Sequence, residues 1–171
     1  MHVMIDLETM DTAPSAAIVA IGACRFDHDG IKDDTFYRRI TLQSSVNNGG
    51  TIGADTVIWW LKKSDAVRQE AILAEHSEHN ALRDFRDWLQ EVDTSGIWGN
   101  GAMFDNAILG QAYRRYDLNP PWPFWADLCY RTMKSQSPHV KLTRKGTHHN
   151  ALDDAMSQAQ HLIEIWNHGQ S

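Results

Sequence analysis

Residues 4–11 read Met4-Ile5-Asp6-Leu7-Glu8-Thr9-Met10-Asp11, and the rest of the chain is interpreted around them. The apolar run Val3-Met4-Ile5 leads directly into Asp6, Leu7 and Glu8. A short apolar run ending in charged residues suits a buried strand. Side chains alternate faces along a strand, so Asp6 and Glu8 point one way and Leu7 points back into the protein. Two carboxylates side by side at the end of a buried strand are unfavourable unless a cation sits between them. Hard divalent ions such as Mg2+ take oxygen ligands, which makes a divalent-metal site the first expectation. An isolated Asp-x-Glu is more often a strand end where two acids meet water. The expectation therefore needs further acids and a base that converge on the pair.

The totals bound the answer. At 171 residues the chain fits one domain, 1–171, and 42% hydrophobic with 22% charged residues is a globular mixture. The net charge of −6 argues against a generally basic nucleic-acid coat. It leaves room for a nucleic-acid enzyme, because an acidic metal site contributes negative charge of its own. Cys24 and Cys129 form neither a disulfide framework nor a CxxC motif, so a reduced, cytoplasmic setting with both thiols buried is expected. Asp6 and Glu8 interrupt the first apolar run too early for a signal peptide. No stretch has the length of a membrane span, and no membrane role is expected.

Ser15–Phe26 reads as a second strand, and Thr35–Leu42 alternates as a third after the turn at His28-Asp29-Gly30. Short turns make these an antiparallel meander. Gln43–Gly53 reads as a polar loop, Asp55 as the N-cap of a helix over Val57–Lys63, and Ser64-Asp65 as the cap of a short helical piece. Leu82, Phe85, Trp88, Leu89 and Val92 recur at helical spacing within a helix from Ser77 to Val92. Gly96–Gly99 is a short buried strand, Asn100–Tyr116 a helix, and Phe124–Leu128 a last strand beyond three prolines that end the helix. Arg131–Gly146 reads as a basic polar loop and Asn150–Trp166 as the final helix. The order implies an α/β fold: a mixed sheet of three antiparallel N-terminal strands plus two parallel strands, flanked by helices.

Two further acids now matter. Asp105 opens the helix after the fourth strand, and Asp154 lies in the first turn of the last helix, with His149 just before it. A carboxylate in a first turn is ordinary, since the helix field is positive there. The set Asp6, Glu8, Asp105, His149 and Asp154 is less ordinary. The stretches MIDLET (Asp6, Glu8), GNGAMFD (Asn100, Phe104, Asp105) and HNALDDA (His149, Ala151, Asp154) occur in this order along nearly the whole chain. Together they resemble the three motifs of the DEDDh branch of DnaQ-like 3′→5′ exonucleases, which have the ribonuclease H-like fold. TIGADTVIWWLKKSD, residues 51–65, is in addition similar to a phage- and bacteria-associated, exoribonuclease-like subgroup. The sequence departs from many relatives in placing Met10 and Asp11, without a glycine, after Thr9. This bears on the shape of the terminal-nucleotide pocket and leaves the acids in place. The spacing from His149 selects Asp154 over its neighbour Asp153 for the motif position.

The resemblance implies hydrolysis supported by two Mg2+ or Mn2+ ions, with Asp6 bridging both, Glu8 and Asp154 holding the ion at the attacking water, and Asp105 serving the ion at the leaving 3′ oxygen. His149 would be the general base, for which an imidazole with a pKa of about 6.5 is suited near neutrality. The substrate implied is the 3′ end of single-stranded DNA or RNA, gripped by stacking on Met10, Trp59, Trp60 or Phe104 and by hydrogen bonds from Thr9 and Asn100. Trp59 and Trp60 are adjacent, so at most one of them faces the cleft, and Trp60 is taken as the contact. Arg131, Lys134, Lys141, Arg144 and Lys145 lie between Asp127 and Asp153 without an intervening acid; this stretch would guide the phosphate backbone. His148 and most other histidines, His76, His79 and His161 among them, are expected in loops or at the surface. A homodimer is one arrangement found among relatives. An oligoribonuclease-like enzyme for very short RNA and a catalytically idle nucleic-acid-binding or polymerase-associated module are the rival readings. Degenerate modules usually lose a ligand, and all five positions are filled here.

Overall fold

A computed structural model describes residues 1–169, with the side chain of Glu70 left aside. Five strands form one sheet: β1 (His2–Thr9), β2 (Ile18–Asp27), β3 (Gly30–Arg39), β4 (Gly96–Gly99) and β5 (Asp127–Cys129), in the order β3-β2-β1-β4-β5. β1 pairs antiparallel with β2, and β2 with β3. On its other side β1 pairs parallel with β4, and β4 with β5. This is the mixed sheet expected from the strand pattern, with the acid-bearing strand at its centre.

The helices are α1 (Leu42–Asn47), α2 (Ala54–Leu61), α3 (Asp65–Ile72), α4 (Glu78–Gln90), α5 (Asp105–Arg115), α6 (Tyr130–Gln136) and α7 (Ala151–His168). The period-two alternation of β1 sorts them onto two faces. Val3, Ile5 and Leu7 pack with Leu82 and Phe85 of α4 and with Ile108 and Tyr113 of α5. Met4 packs on the opposite face with Ala155, Ala159 and Leu162 of α7. Asp6 and Glu8 share the parity of Met4, so the last two side chains of that face meet the first turns of α7. A third apolar group, Met10, Ala17, Val19 and Trp60, lies under α1, α2 and α3.

Several boundaries differ from the sequence expectation. α1 occupies part of the expected loop 43–53, and α6 part of the expected loop 131–146. Neither short helix has a side-chain N-cap. Both are held by tertiary contacts, Ser45 donating to Glu78 (2.6 Å) and Tyr130 sinking fully into the core. β3 starts at Gly30 rather than Thr35, α5 starts at Asp105 rather than Asn100, and Phe124–Ala126 is a 3-10 turn that delays β5 to Asp127. The N-cap of α2 is Gly53, with Asp55 inside the first turn. Ser64 stands at the N-cap of α3 as expected but without a side-chain bond, while Ser77 and Asn150 cap their helices through their side chains. Cys24 is buried, whereas Cys129 is only half-buried. No helix among the described residues is long and apolar enough to cross a membrane.

α7 can approach the sheet because β2 carries Gly22 beneath its N-terminus. A methyl group at Gly22 would overlap the Ala151 carbonyl and the Leu152 amide, both backbone. We expect Gly22→Ala to push the start of α7 off the sheet and to lower stability by about 1–3 kcal/mol, the usual scale of overpacking. Denaturant unfolding checks this, and a midpoint equal to wild type would contradict the packing described.

Candidate active site

The C-terminal end of β1 delivers Asp6 and Glu8, the turn after β4 delivers Asn100, Phe104 and Asp105, and the loop into α7 delivers His148, His149 and Asp154. Carboxylate oxygens of Asp6, Glu8 and Asp154 lie within 4.8 Å of one another. So do ligand atoms of His148, His149 and Asp154. Asp105 stands behind this group, only 2% exposed, and its Oδ1 accepts the Leu7 amide of β1 (3.1 Å). Its Oδ2 is buried with no hydrogen-bond partner.

This concentration of acid is electrostatically unfavourable. Burial, followed by the charges of Asp105, Glu8 and Asp154, raises the Asp6 carboxyl well above the usual carboxylate range, against the opposing hydrogen bond from Gln158. Burial pushes Asp105 up to about 7, with the Leu7 amide opposing. The structure answers with polar contacts. Gln158, one turn after Asp154 on α7, donates its amide to Asp6 Oδ1 (2.7 Å). Asp154 Oδ2 accepts the His149 amide (2.9 Å), and its Oδ1 accepts Arg144 Nη1. Arg144 is thus a side-chain cation bonded to the cluster.

His149 has a left-handed backbone, φ 69°, reached just before the helix begins. Its loop is tied along α7: Thr147 donates to Asp153 Oδ2 (2.7 Å) and Lys145 to Ser157 Oγ (3.0 Å). Asp153, the acid passed over for the motif position, therefore shapes the loop that presents His149. The imidazole meets the edge of Trp59 (4.8 Å between centroids) and stacks on His148 (3.7 Å). Lys63 Nζ donates to its Nε2 (3.3 Å) and also lies over the Trp59 ring (3.9 Å). An ammonium only donates, so Nε2 is the proton-free nitrogen. Burial, then His148 and Lys63, lowers the His149 pKa to about 4, which leaves the ring neutral at physiological pH.

Asp6, Glu8, Asp154, His148, His149 and Arg144 wall a cavity of about 420 Å³, with Asp105 behind the wall rather than on it, and that volume is within the ~300–1,000 Å³ range of ligand pockets. Thr9, Asn100 and Phe104 also line it. Met10 and Trp60 do not: Met10 packs in the apolar group under α2, and Trp60 is 5% exposed with its indole N–H on the Thr9 carbonyl (2.9 Å). Trp59 lines the cavity instead. The two tryptophans do diverge around the helix, with the buried one supporting the cavity floor through the backbone. Asp11, Thr12, Asp55 and Thr56 complete the wall on the β2 side. His148 is the exposed loop histidine expected, although it also lines the cavity, whereas His161, 1% exposed in the core, is not the surface residue expected. Lys63 and Gln158 carried no motif signal; each sits one helical turn from a recognised cavity residue, Trp59 and Asp154.

The family model that matches, over residues 1–166, describes a 3′-5′ exoribonuclease Rv2179c-like domain. No curated protein sequence matches the chain. Among solved structures, the chain is similar to the nuclease domain of 3′hExo, a DEDDh family member bound to rAMP (17% identity, TM-score 0.66, covering 98% of this chain and 92% of that one). It is also similar to Exonuclease X in complex with 5′ overhanging duplex DNA (14%, 0.63, 100% and 94%) and to cell-death related nuclease 4 (15%, 0.66, 98% and 64%). At these identities the structural matches establish the ribonuclease H-like fold expected from the motifs. With the family model spanning almost the whole sequence, the chain belongs to the 3′-5′ exoribonuclease Rv2179c-like family of domains.

Proposed function

We propose that this protein hydrolyses single-stranded RNA stepwise from its 3′ end, using two divalent cations held by Asp6, Glu8, Asp105 and Asp154. The observation that carries this reading is the cluster of acids at the end of β1. Its donors are all carboxylate oxygens, three of the acids approach within 4.8 Å, and Asp105 Oδ2 is a buried acceptor with no partner in the protein. That donor set fits Mg2+ or Mn2+. The ions, when bound, lower the pKa of the attacking water and offset the charge on the departing oxygen.

The protein's own groups supply the rest. His149 takes the proton of the attacking water at Nε2, once that lone pair turns from Lys63 Nζ (3.3 Å) to the water. Asp154, which accepts the His149 amide, couples the position of the base to that of the acids. Gln158 fixes the rotamer of Asp6. Trp59 and Phe104 offer apolar walls for the terminal base, and Thr9 and Asn100 offer polar atoms to its sugar. The RNA assignment follows the family's exoribonuclease character.

Three outcomes test this reading. Matched 3′-intact RNA and DNA single strands should differ, with RNA shortened in one-nucleotide steps in Mg2+ or Mn2+ and intact in chelator. Products appearing from the 5′ end, or equal digestion in chelator, would contradict it. His149→Ala should lower kcat by about 10²-fold or more, the scale of a lost general base. Wild-type rates in that variant would remove His149 from the role. Asp105→Asn keeps the acceptor for Leu7 and removes a charge that burial disfavours. In chelator at pH 8 it should be about 1–3 kcal/mol more stable than wild type, while losing most of the Tm increase that Mn2+ gives the wild type. A variant less stable in chelator, or one that keeps the full Mn2+ response, would count against the account of the cluster.

A further inference from the structure

A second and larger depression, about 600 Å³, adjoins the first, and Asn100 lines both. Its walls are Arg131, Lys134 and Ser135 of α6 and Pro138, Val140, Lys141 and Leu142 beyond it. Three of these residues are cations and none is an acid. Arg131 donates to the Asn100 carbonyl (2.6 Å), and Gly101, at φ 118°, leaves room for its guanidinium, which a Cβ would approach within 3.2 Å. One positive charge is thereby fixed at the junction of the two cavities. Lys134 and Lys141 continue the line outward and are exposed.

The floor of this depression is built on the core. His161 of α7 bonds the Val140 carbonyl through Nε2 (3.0 Å) and Tyr130 through Nδ1 (2.7 Å), and both rings are fully buried. A carbonyl only accepts, so Nε2 carries the proton and the Tyr130 hydroxyl donates to Nδ1. This chain of bonds holds the segment after α6 against α7 and gives the groove a rigid base. The five cations of the basic stretch are therefore divided in role. Arg131, Lys134 and Lys141 line the groove, Arg144 is turned onto Asp154, and the Lys145 backbone is bonded to Ser157.

We propose that this groove binds the sugar–phosphate backbone of the nucleotides immediately 5′ of the scissile bond in a single strand. The inference rests on the exonuclease reading of the first cavity and adds the path of the substrate. A strand whose 3′ nucleoside fills the first cavity has to leave it on one side of β1. The β2 side carries Asp11 and Asp55, which repel phosphate; the β4 side opens at Asn100 onto Arg131, Lys134 and Lys141. Cations spaced along a groove track a backbone without reading its sequence. Grip on the substrate should then grow with length over the first few nucleotides and fall with salt.

Binding of labelled RNA trimer and octamer, measured by fluorescence anisotropy in chelator between 50 and 300 mM salt, separates this from catalysis. Single-stranded binding loses a log–log slope of about 0.7 for each phosphate neutralised. Lys134→Gln/Lys141→Gln should therefore flatten the octamer slope by about 1.4 and weaken octamer binding by about tenfold at low salt. Arg131→Lys, which keeps the charge and loses the guanidinium bond to the Asn100 carbonyl, should retain most of the slope. Parallel salt lines for wild type and the double variant would overturn the proposal, and so would equal competition by an oligoglutamate of matched charge. Dinucleotide hydrolysis in Mn2+, run alongside on the wild type, reports on the first cavity independently of the groove.

Discussion

Four carboxylates are gathered at the end of one buried strand, and the electrostatic repulsion among them is the constraint on which the site depends. Folding alone would not favour this arrangement. Asp6 is pushed far from its ordinary pKa by burial and by its acidic neighbours, and Asp105 up to about 7. The bonds from Gln158, the Leu7 amide and the His149 amide relieve part of the charge, and Arg144 offsets one carboxylate. What is left is a buried oxygen with no partner and three acids within 4.8 Å. Such a site is suited to cationic charge supplied from outside, and phosphodiester hydrolysis needs charge of that sign in its transition state.

The fold serves that constraint by geometry. Central placement of β1 buries its end on both sides, and strand alternation turns Asp6 and Glu8 toward α7 while Leu7 anchors the opposite face. Gly22 lets α7 approach closely enough for Asp154 and Gln158 to reach them. The loop before α7 is stitched to the helix at Ser157, Asp153 and Asp154, so the left-handed backbone at His149 is held from several directions. His149, the proposed base, is thus positioned by the same helix that supplies Asp154.

The parts of this arrangement visible in the sequence were those with local signatures. The apolar run into Asp6-Leu7-Glu8 and the helical spacing of α4 and α7 each carry their meaning within a few residues. The acid and histidine motifs could be listed together for the same reason. α1 and α6 were not visible, because helices of six and seven residues without side-chain caps depend on contacts far along the chain. The choice between Trp59 and Trp60 also turned on tertiary structure: the Thr9 carbonyl takes the Trp60 indole inward and leaves Trp59 to the cavity. His161 shows the same limit, since a histidine on a helix announces nothing until Tyr130 and the Val140 carbonyl are seen to bracket it.

The central claim is that the acids are gathered to hold cations. Anomalous diffraction from crystals equilibrated with Mn2+ measures this most directly. The account predicts two peaks about 3.5–4 Å apart, the first among Asp6, Glu8 and Asp154 and the second between Asp6 and Asp105, with Arg144 displaced from Asp154. A cluster free of anomalous signal at saturating Mn2+, with the Arg144–Asp154 pair intact, would contradict it.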